Sequence, residues 1–238
     1  MTDVAANLAR VRANIAAAAH AAGRQPEDIK LVAVSKAHPA ATLEAALRAG
    51  QRVFGENTVQ EALGKIARFA AQPLEWHFVG HLQSNKAKFI PGNFSWLHSL
   101  DSLKLAERLS RQACEKHAVI DALIEVNITR DPRKHGVAPT DIFPLLDRLL
   151  RRNLAGVRLG GLMAIGPYPA REREIRAAYA RLRRLREDCV QRFGLRGFTE
   201  LSMGMSGDYA EAVREGATML RIGDAIFGAR DYPTLTPA

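Results

Sequence analysis

The sequence predicts a single (β/α)8 barrel, the TIM-type α/β fold, with one extra helix at the N-terminus. Eight short apolar runs alternate along the chain with segments of helical periodicity, and this alternation is typical of a parallel sheet covered by helices. The runs also lack strict alternation of apolar and polar residues, as expected for strands buried on both faces. A length of 238 residues is close to that of a typical barrel of this kind, so we expect one domain over residues 1–238.

The elements follow in order. The first is a helix over residues 3–22, with Leu8, Val11 and Ile15 on one face and Gly23 at its end. The strands are predicted at residues 29–36, 52–55, 75–80, 95–100, 120–127, 154–165, 197–204 and 217–223. The intervening helices are predicted at 40–49, from the second strand to about 71, and at 83–90, 102–117, 139–152, 170–188 and 207–215, with the short segment DAIFGA (224–229) after the eighth strand. An open, doubly wound sheet is the alternative, but SKAHP (35–39) stands where its glycine-rich dinucleotide fingerprint would be.

The composition is that of an ordinary globular protein. Hydrophobic residues make up 47% of the chain and charged residues 25%, which excludes disordered, collagenous and coiled-coil proteins. No apolar run reaches the ~20 residues of a membrane helix, and the N-terminus lacks the order of a secretion signal, so we expect a cytoplasmic protein. Cys114 and Cys189 match no zinc-finger or CxxC spacing, so we expect two reduced thiols and no metal site.

The net charge of +9 raises the hypothesis of a nucleic-acid-binding barrel, which predicts salt-sensitive binding. Much of the charge lies in residues 170–188, where acidic residues are interspersed and apolar residues recur every three or four positions. That pattern is typical of an amphipathic helix with a solvated arginine face. We therefore favour a basic surface that attracts an anionic small molecule, with no nucleic acid or membrane as partner.

Polar residues cluster where the predicted strands end, whereas the strand bodies are expected to be apolar. In a barrel of this kind, the carboxyl ends of all strands meet at one mouth, where the chemistry lies. The residues at these ends are, in order, Lys36, Glu56, Asn57, His81, Ser99, Asp101, Asn127, Met163, Ser202 to Ser206, Arg221 and Gly223. Their bias towards functional groups predicts a shared pocket.

Two interpretations of Lys36 stay open from its position alone. Burial would lower the pKa of its amine and free it to form an imine with a carbonyl compound. Alternatively, the side chain extends from the rim of the barrel into solvent.

Two loops predict an anion site. The segment SMGMSGD (202–208) leads into a helix, and its glycines allow backbone N–H groups to converge on a phosphate. The alternative is an ordinary helix cap by Ser206. The segment RIGDA (221–225) supplies the turn after the eighth strand, where Gly223 allows close approach of the backbone, and barrels frequently bind phosphate at these last two loops.

Arg221 lies inside the last predicted strand, so its charge needs an acceptor. Either a core carboxylate such as Glu125 pairs with it, or it donates to a nitrogen of a ligand ring. A lysine amine, a phosphate site and an arginine together suggest pyridoxal 5′-phosphate, with the arginine opposite the pyridine nitrogen. Such an arginine would leave that nitrogen largely unprotonated and weaken the cofactor as an electron sink.

The motifs resemble those of the pyridoxal phosphate homeostasis protein family, also called the YggS/PROSC family. They span nearly the whole chain and comprise VAVSKAHP (32–39), FGENTVQE (54–61), WHFVGHLQSNK (76–86), HSLDS (98–102), EVNITRDPRKHG (125–136), GLMAI (161–165), ELSMGMSGDYAEAV (200–213) and LRIGDAIFGARDY (220–232). The family is similar in fold to the N-terminal barrel of alanine racemase, which the resemblance implies here as well.

The resemblance also implies roles for particular residues. Lys36 would bind pyridoxal phosphate as an aldimine, and Arg221 would face the pyridine nitrogen. The implied phosphate contacts are Ser206 and the backbone of Gly223 and Asp224. The implied pocket-lining residues are Asn57 and His81, and Lys134 matches a loop lysine linked to cofactor exchange.

Two positions depart from the family pattern. Asp224 stands where the family usually has Thr or Ser, and a carboxylate beside a phosphate dianion is repulsive unless it turns away. Asp131 stands where the family often has Glu, a mild change in a loop.

The resemblance implies a non-enzymatic protein of cofactor homeostasis that holds pyridoxal phosphate, delivers it to apo-enzymes and is a monomer. A racemase or related enzyme is the alternative, and it would need acid and base groups on both faces of the cofactor. In alanine racemase the second group is a tyrosine from an extra domain of the partner subunit. We expect that domain to be missing because the chain ends at Ala238, and nothing marks Tyr168 or Tyr209 as catalytic. No catalytic residue is therefore predicted.

Overall fold

Eight parallel strands close into a barrel in which sequence neighbours are also spatial neighbours. The computed structural model describes residues 2–228, so residues 229–238 of the expected domain, with Ala229 of the last predicted segment, lie outside the described residues. The strands are β1 (Lys30–Val34), β2 (Val53–Glu56), β3 (Glu75–Phe78), β4 (Trp96–Leu100), β5 (Ile120–Val126), β6 (Val157–Ala164), β7 (Glu200–Ser202) and β8 (Met219–Ile222). Pairing of β1 with β8 closes the barrel. The predicted barrel is confirmed, and the open sheet is wrong.

The extra helix, α1 (Val4–Ala21), is also confirmed. The Asp3 side chain caps it by accepting a hydrogen bond from Ala6 N at 3.0 Å. Its buried face includes Leu8, Val11 and Ile15, as the periodicity predicted. The helix packs against elements from both ends of the barrel sequence and so covers the seam where β1 meets β8.

The remaining helices lie outside the strands. They are α2 (Ala40–Arg48), α3 (Val59–Arg68), α4 (Leu103–Glu115), α5 (Ile142–Arg151), α6 (Glu172–Phe193), α7 (Tyr209–Arg214) and α8 (Asp224–Phe227). The predicted helix at 83–90 is instead a 3-10 helix over Ser84–Phe89. Two further 3-10 turns, Pro26–Asp28 and Pro139–Asp141, precede β1 and α5. The long arginine-rich α6 buries one apolar face and ends at Gly194, whose φ of 66° is left-handed.

The strands separate the large apolar core beneath the helices from the interior of the barrel. Ala33 belongs to the large core between strands and helices, whereas its neighbours Val32 and Val34 face the interior of the barrel. A Cβ on Gly55 of β2 would lie 2.9 Å from Val32 Cγ1 and 3.2 Å from Val34 Cγ2, so glycine is needed where these interior side chains meet. A small separate cluster contains Leu123, Met163 and Met219.

Two further sequence expectations can be compared with residues 2–228. Both cysteines are free thiols, Cys114 exposed and Cys189 buried. None of the helices in this part of the chain is both long and apolar enough to span a bilayer.

Candidate functional site

Lys36 follows β1 at the carboxyl end of the barrel, and its side chain is half-buried. The β1–β2 ladder continues beside it, because Ser35 N donates to Gly55 O at 3.0 Å. Successive side chains of a strand alternate between its two faces. Extended two residues beyond Val34, this alternation predicts that the Lys36 side chain lies on the interior side of β1.

A buried ionic cluster, here called the Lys65 clamp (Lys65, Glu56 and Glu61), holds the backbone on both sides of Lys36. Lys65 of α3 donates to Ser35 O at 2.6 Å and to Glu56 Oε1 at 2.7 Å. It also lies 2.6 Å from Glu61 Oε1, which accepts from Ala37 N at 2.6 Å. The residue between Ser35 and Ala37 therefore has a fixed backbone position at the mouth.

Ser206 joins the loops that follow β7 and β8. Its Oγ accepts a hydrogen bond from Ala225 N at 3.1 Å. The alternative in which Ser206 caps the next helix is wrong, because α7 begins at Tyr209 with Asp208 in the capping position. The Ser206 hydroxyl, having accepted one bond, keeps its own hydrogen for donation to an acceptor at the mouth.

The turn after β8 lies directly against β1. A Cβ on Gly223 would lie 2.9 Å from Val34 O, so the close approach needs glycine at this position. Asp224 is the first residue of α8, and its side chain is exposed. The turn therefore brings the proposed phosphate-binding backbone beside the strand that Lys36 follows.

Asp208 holds the loop after β7 in shape. Its Oδ1 accepts from Met205 N at 2.6 Å, and its Oδ2 accepts from Tyr179 OH at 2.6 Å. Burial, together with the Asp208 charge, raises the pKa of the Tyr179 hydroxyl above its ordinary value. Gly204 in the same loop has a φ of 94°, and a Cβ there would lie 2.6 Å from Ala212 Cβ. The glycine-rich loop thus has a defined conformation.

Arg221 is buried inside the barrel below this loop. Its Nη1 donates to Ser202 Oγ at 2.6 Å, and its Nη2 donates to Ala164 O at 3.0 Å. Within the described residues no ion pair joins Arg221 to Glu125, which was the first of the two interpretations. Burial lowers the pKa of Arg221, but a guanidinium in a protein keeps its proton. The mouth therefore contains a permanent buried cation.

Glu125 at the carboxyl end of β5 is buried, and its Oε2 has no hydrogen-bond partner within residues 2–228. Burial raises the pKa of this carboxyl to about 7, against the opposing effect of the Arg221 charge. Gly136 covers it, since a Cβ on that glycine would lie 3.0 Å from Glu125 Cγ. A buried carboxyl without its full set of partners is a feature that the sequence analysis did not single out as a site.

Asn57 and His81 follow β2 and β3 at the same rim. Asn57 is half-buried. Its backbone lies so close to Gly80 that a Cβ on Gly80 would be 2.2 Å from Asn57 O. His81 is exposed, and its Nδ1 lies 3.8 Å from Asp101 Oδ2. Its ring stacks on His135 with a centroid separation of 3.8 Å. His81 thus connects the rim to the loop that follows β5.

The loop carrying Lys134 is folded against the mouth. Lys134 Nζ donates to Gly166 O at 2.8 Å, and Asn127 Nδ2 donates to the carbonyl oxygens of Asp131 and Lys134. The Asp131 carboxylate accepts from Arg133 N at 3.0 Å. Asp131 therefore stabilises the turn of this loop, which bridges the ends of β5 and β6.

The expectation that strand bodies are apolar is wrong for the barrel interior. A column of polar side chains runs through it, and these are Glu75 and His77 of β3, His98 of β4, Ser202 of β7 and Arg221. Trp76 and Phe78 alternate with these residues and pack outside, in the main core. The period-two pattern of EWHF (75–78) puts Glu75 and His77 on one face of β3, but it does not show whether that face lies inside the barrel.

The comparisons with known proteins decide the family. The family model for the alanine racemase N-terminal domain matches residues 6–231. A pyridoxal phosphate homeostasis protein of Pseudomonas aeruginosa is 48% identical over 233 residues, which are 98% of either chain. One of Escherichia coli K12 is 43% identical over 239 residues and covers 98% of this chain and 99% of its own. This chain belongs to the pyridoxal phosphate homeostasis protein family.

Solved structures agree with that family assignment. PipY of Synechococcus elongatus without PLP has a TM-score of 0.85 and 42% identity, and the match covers 94% of this chain and 100% of PipY. PipY with PLP bound has a TM-score of 0.83 and 40% identity. An alanine racemase of Clostridium difficile has a TM-score of 0.71 at 15% identity and matches over 57% of its own length, which shows the fold alone.

Proposed function

We propose that this chain is a non-enzymatic pyridoxal 5′-phosphate binding protein that holds the cofactor as an aldimine of Lys36 and delivers it to apo-enzymes. We expect it to act in the cytoplasm as a monomer, with no nucleic acid or membrane as partner. The observation that carries the proposal is the meeting of β1, β7 and β8 at the mouth. There Lys36 follows β1, Ser206 joins the loops after β7 and β8, and the Gly223 turn lies against β1. Arg221 of β8 is buried beneath these loops.

The residues present fit this cofactor. When bound, pyridoxal phosphate supplies an aldehyde that condenses with an amine. The Ser206 hydroxyl and the backbone N–H groups of Gly223 and Asp224 supply donors suited to its phosphate. The Asp224 side chain is exposed, so we expect solvent to screen its charge from a phosphate bound by the backbone of this turn. The relatives named above support the same cofactor, since one is a structure with PLP bound.

Arg221 supports a role in holding the cofactor rather than in demanding catalysis. A guanidinium that keeps its proton would donate to the pyridine nitrogen without transferring a proton to it. The ring nitrogen would then stay largely unprotonated, so the bound cofactor would stabilise a carbanion poorly. The curated relatives support this point because they are named for homeostasis and not for a reaction.

The tyrosines of residues 2–228 also support a role without racemisation. Tyr179 is committed to Asp208 by its hydroxyl hydrogen bond. The Tyr209 hydroxyl accepts from Asn14 of α1 at 3.0 Å, and Tyr168 is 90% exposed. Each hydroxyl is thus engaged elsewhere or open to solvent, so none supplies an acid on the second face of the cofactor.

The proposal is tested by loading the protein with pyridoxal phosphate and recording its visible absorbance. Wild type should turn yellow, Lys36→Ala should lose the band, and Lys88→Ala, which alters an exposed lysine, should keep it. Loaded wild type should also restore activity to an apo-enzyme that depends on pyridoxal phosphate. Substantial Lys36-dependent racemisation of a free amino acid, followed by chiral chromatography, would instead establish the enzyme alternative.

A further inference from the structure

The polar column inside the barrel is a continuous hydrogen-bonded chain from one end to the other. At the end opposite the mouth, Lys30 Nζ donates to Glu75 Oε1 at 2.7 Å, and that oxygen lies 2.8 Å from His77 Nε2. His77 Nδ1 lies 2.8 Å from His98 Nε2. His98 Nδ1 lies 2.9 Å from Ser202 Oγ, which accepts from Arg221 Nη1 at 2.6 Å. The chain therefore joins Glu75 to the cation at the mouth.

Burial favours the neutral form of both histidines in this chain of contacts. Burial lowers the pKa of His77 and holds the pKa of His98 well below its ordinary value. A neutral imidazole has one N–H donor and one acceptor nitrogen. Each ring must therefore donate to one neighbour in the chain and accept from the other.

Glu75 sets the direction of the whole chain. Hydrogen bonds from His77 and Lys30 lower the pKa of this carboxyl to about 2, so it is ionised and can only accept. His77 must then donate through Nε2 and accept through Nδ1, and His98 must do the same. Ser202 must donate its hydroxyl hydrogen to His98 Nδ1. Its oxygen consequently presents only lone pairs to Arg221.

This direction fits the guanidinium, which has N–H donors and no acceptor. A hydroxyl hydrogen pointing the other way would lie between Ser202 Oγ and Arg221 Nη1 and break their bond. The second contact of Arg221, to the carbonyl oxygen of Ala164 at 3.0 Å, fixes the plane of the guanidinium. The orientation of Arg221 thus depends on hydrogen positions that Glu75 sets through His77, His98 and Ser202.

We propose that Glu75, at the end of the barrel opposite the mouth, is a positioning residue that orients Arg221 towards the cofactor through His77, His98 and Ser202. The inference rests on the proposed function, because it assigns Arg221 to the cofactor ring. It goes beyond that function by giving a role to a carboxylate that touches no ligand. A column that only fills the barrel would leave cofactor retention unchanged when Glu75 is altered, and this difference makes the two accounts separable.

The first measurement uses the ligand-free protein. The 15N chemical shifts of the histidine side chains distinguish the two neutral tautomers and the imidazolium. We expect His77 and His98 to be neutral with the hydrogen on Nε2 at pH 7.5. Hydrogen on Nδ1 of either ring, or an imidazolium, would overturn the proposal.

The second measurement uses Glu75→Gln, which keeps the shape of the side chain but can either donate to or accept from His77. We expect a detectable fraction of the Nδ1–H tautomer at both histidines. We also expect loss of pyridoxal phosphate on gel filtration to be about 2- to 10-fold faster, as for one weakened hydrogen bond to a charged group. Asp121→Asn is the matched control, since Asp121 pairs with Arg158 at the same end of the barrel without joining the chain, and it should change neither readout.

Ser202→Ala keeps the test independent of the histidines. It removes the link to Arg221 and should speed cofactor loss as Glu75→Gln does, and the double variant should show no further effect because the two residues act through one path. Wild-type cofactor retention in Glu75→Gln, or additive effects in the double variant, would overturn the proposal. A wild-type protein that takes up no pyridoxal phosphate would instead contradict the proposed function, while the tautomers of the ligand-free protein would still decide the direction of the chain.

Discussion

Ser206 and Ser110 make the same kind of hydrogen bond at opposite ends of the barrel. Ser206 Oγ accepts from Ala225 N at 3.1 Å, and Ser110 Oγ accepts from Gly156 N at 3.0 Å. Only the first lies at the mouth. Comparing the two serines therefore distinguishes a contact with the ligand from a contact that only stabilises the fold.

We predict that Ser206→Ala loses pyridoxal phosphate about 10-fold faster than wild type, because it removes a hydroxyl donor to a phosphate. Ser110→Ala removes a hydrogen bond of similar length and should lower the free energy of unfolding by about 1 kcal/mol without changing retention. Repeated gel filtration of the loaded variants measures the rate of cofactor loss, and urea unfolding measures their stability. Equal retention in the two variants would contradict a phosphate site at Ser206.

Glu125 makes the stability of the protein depend on pH. Burial raises the pKa of its carboxyl from 4.5 to about 7, so the folded protein binds a proton that the unfolded chain releases between these values. The stability contributed by the protonated form is complete below pH 4.5 and is lost as the pH rises through 7.

Glu125→Gln should therefore raise the free energy of unfolding at pH 8 by about 3 kcal/mol relative to wild type, with little change at pH 4.5. The control Glu27→Gln, at an exposed position, should leave the pH dependence unaltered. Urea unfolding at several pH values measures both. A pH profile of Glu125→Gln parallel to that of wild type would show that Glu125 titrates normally.

At the scale of elements, α3, β1 and β2 form one unit around the Lys65 clamp. Burial raises the pKa of Glu56 and is opposed by its hydrogen bond and charge interaction with Lys65. The ion pair of Lys65 and Glu56 is almost fully buried, with side-chain exposures of 8% for Lys65 and 0% for Glu56. Removing the cation would leave buried carboxylate charge uncompensated.

We predict that Lys65→Met lowers the free energy of unfolding by about 3 kcal/mol and also weakens cofactor retention, because the segment Ser35–Ala37 loses its fixed position. Arg68 lies on the same helix as Lys65 and forms an exposed ion pair with Glu44 of α2. Arg68→Met breaks that pair and should cost less than about 1 kcal/mol. Urea unfolding compares the two variants. Similar losses of stability in both would contradict the clamp.

The elements were largely predictable, whereas their polar contacts were not. The helix α1 followed from the spacing of Leu8, Val11 and Ile15, because helical periodicity is a local property. The column through His77 and His98 was missed, because a four-residue strand such as EWHF does not show which of its faces lies inside a barrel. The partner of Ser206 is 19 residues away, so only the closed structure could identify it.

At the scale of the whole molecule, closure of the barrel turns separate motifs into one site. Lys36 and Arg221 are far apart in the sequence, yet β1 and β8 are paired neighbours. The residues at the mouth could be listed from the sequence because parallel strands all end on one side. The distances between these residues could not be predicted, because they depend on the strand register and on the glycines that allow close approach.

The central claim is that Lys36 carries the cofactor, and borohydride reduction followed by peptide mapping tests it most directly. Reduction converts an imine into a stable amine, so mass spectrometry then identifies the attached lysine. The account predicts one pyridoxyl phosphate group on the peptide that contains Lys36. A group attached to Lys134 or to any other lysine in place of Lys36, or a protein that stays unlabelled, would contradict it.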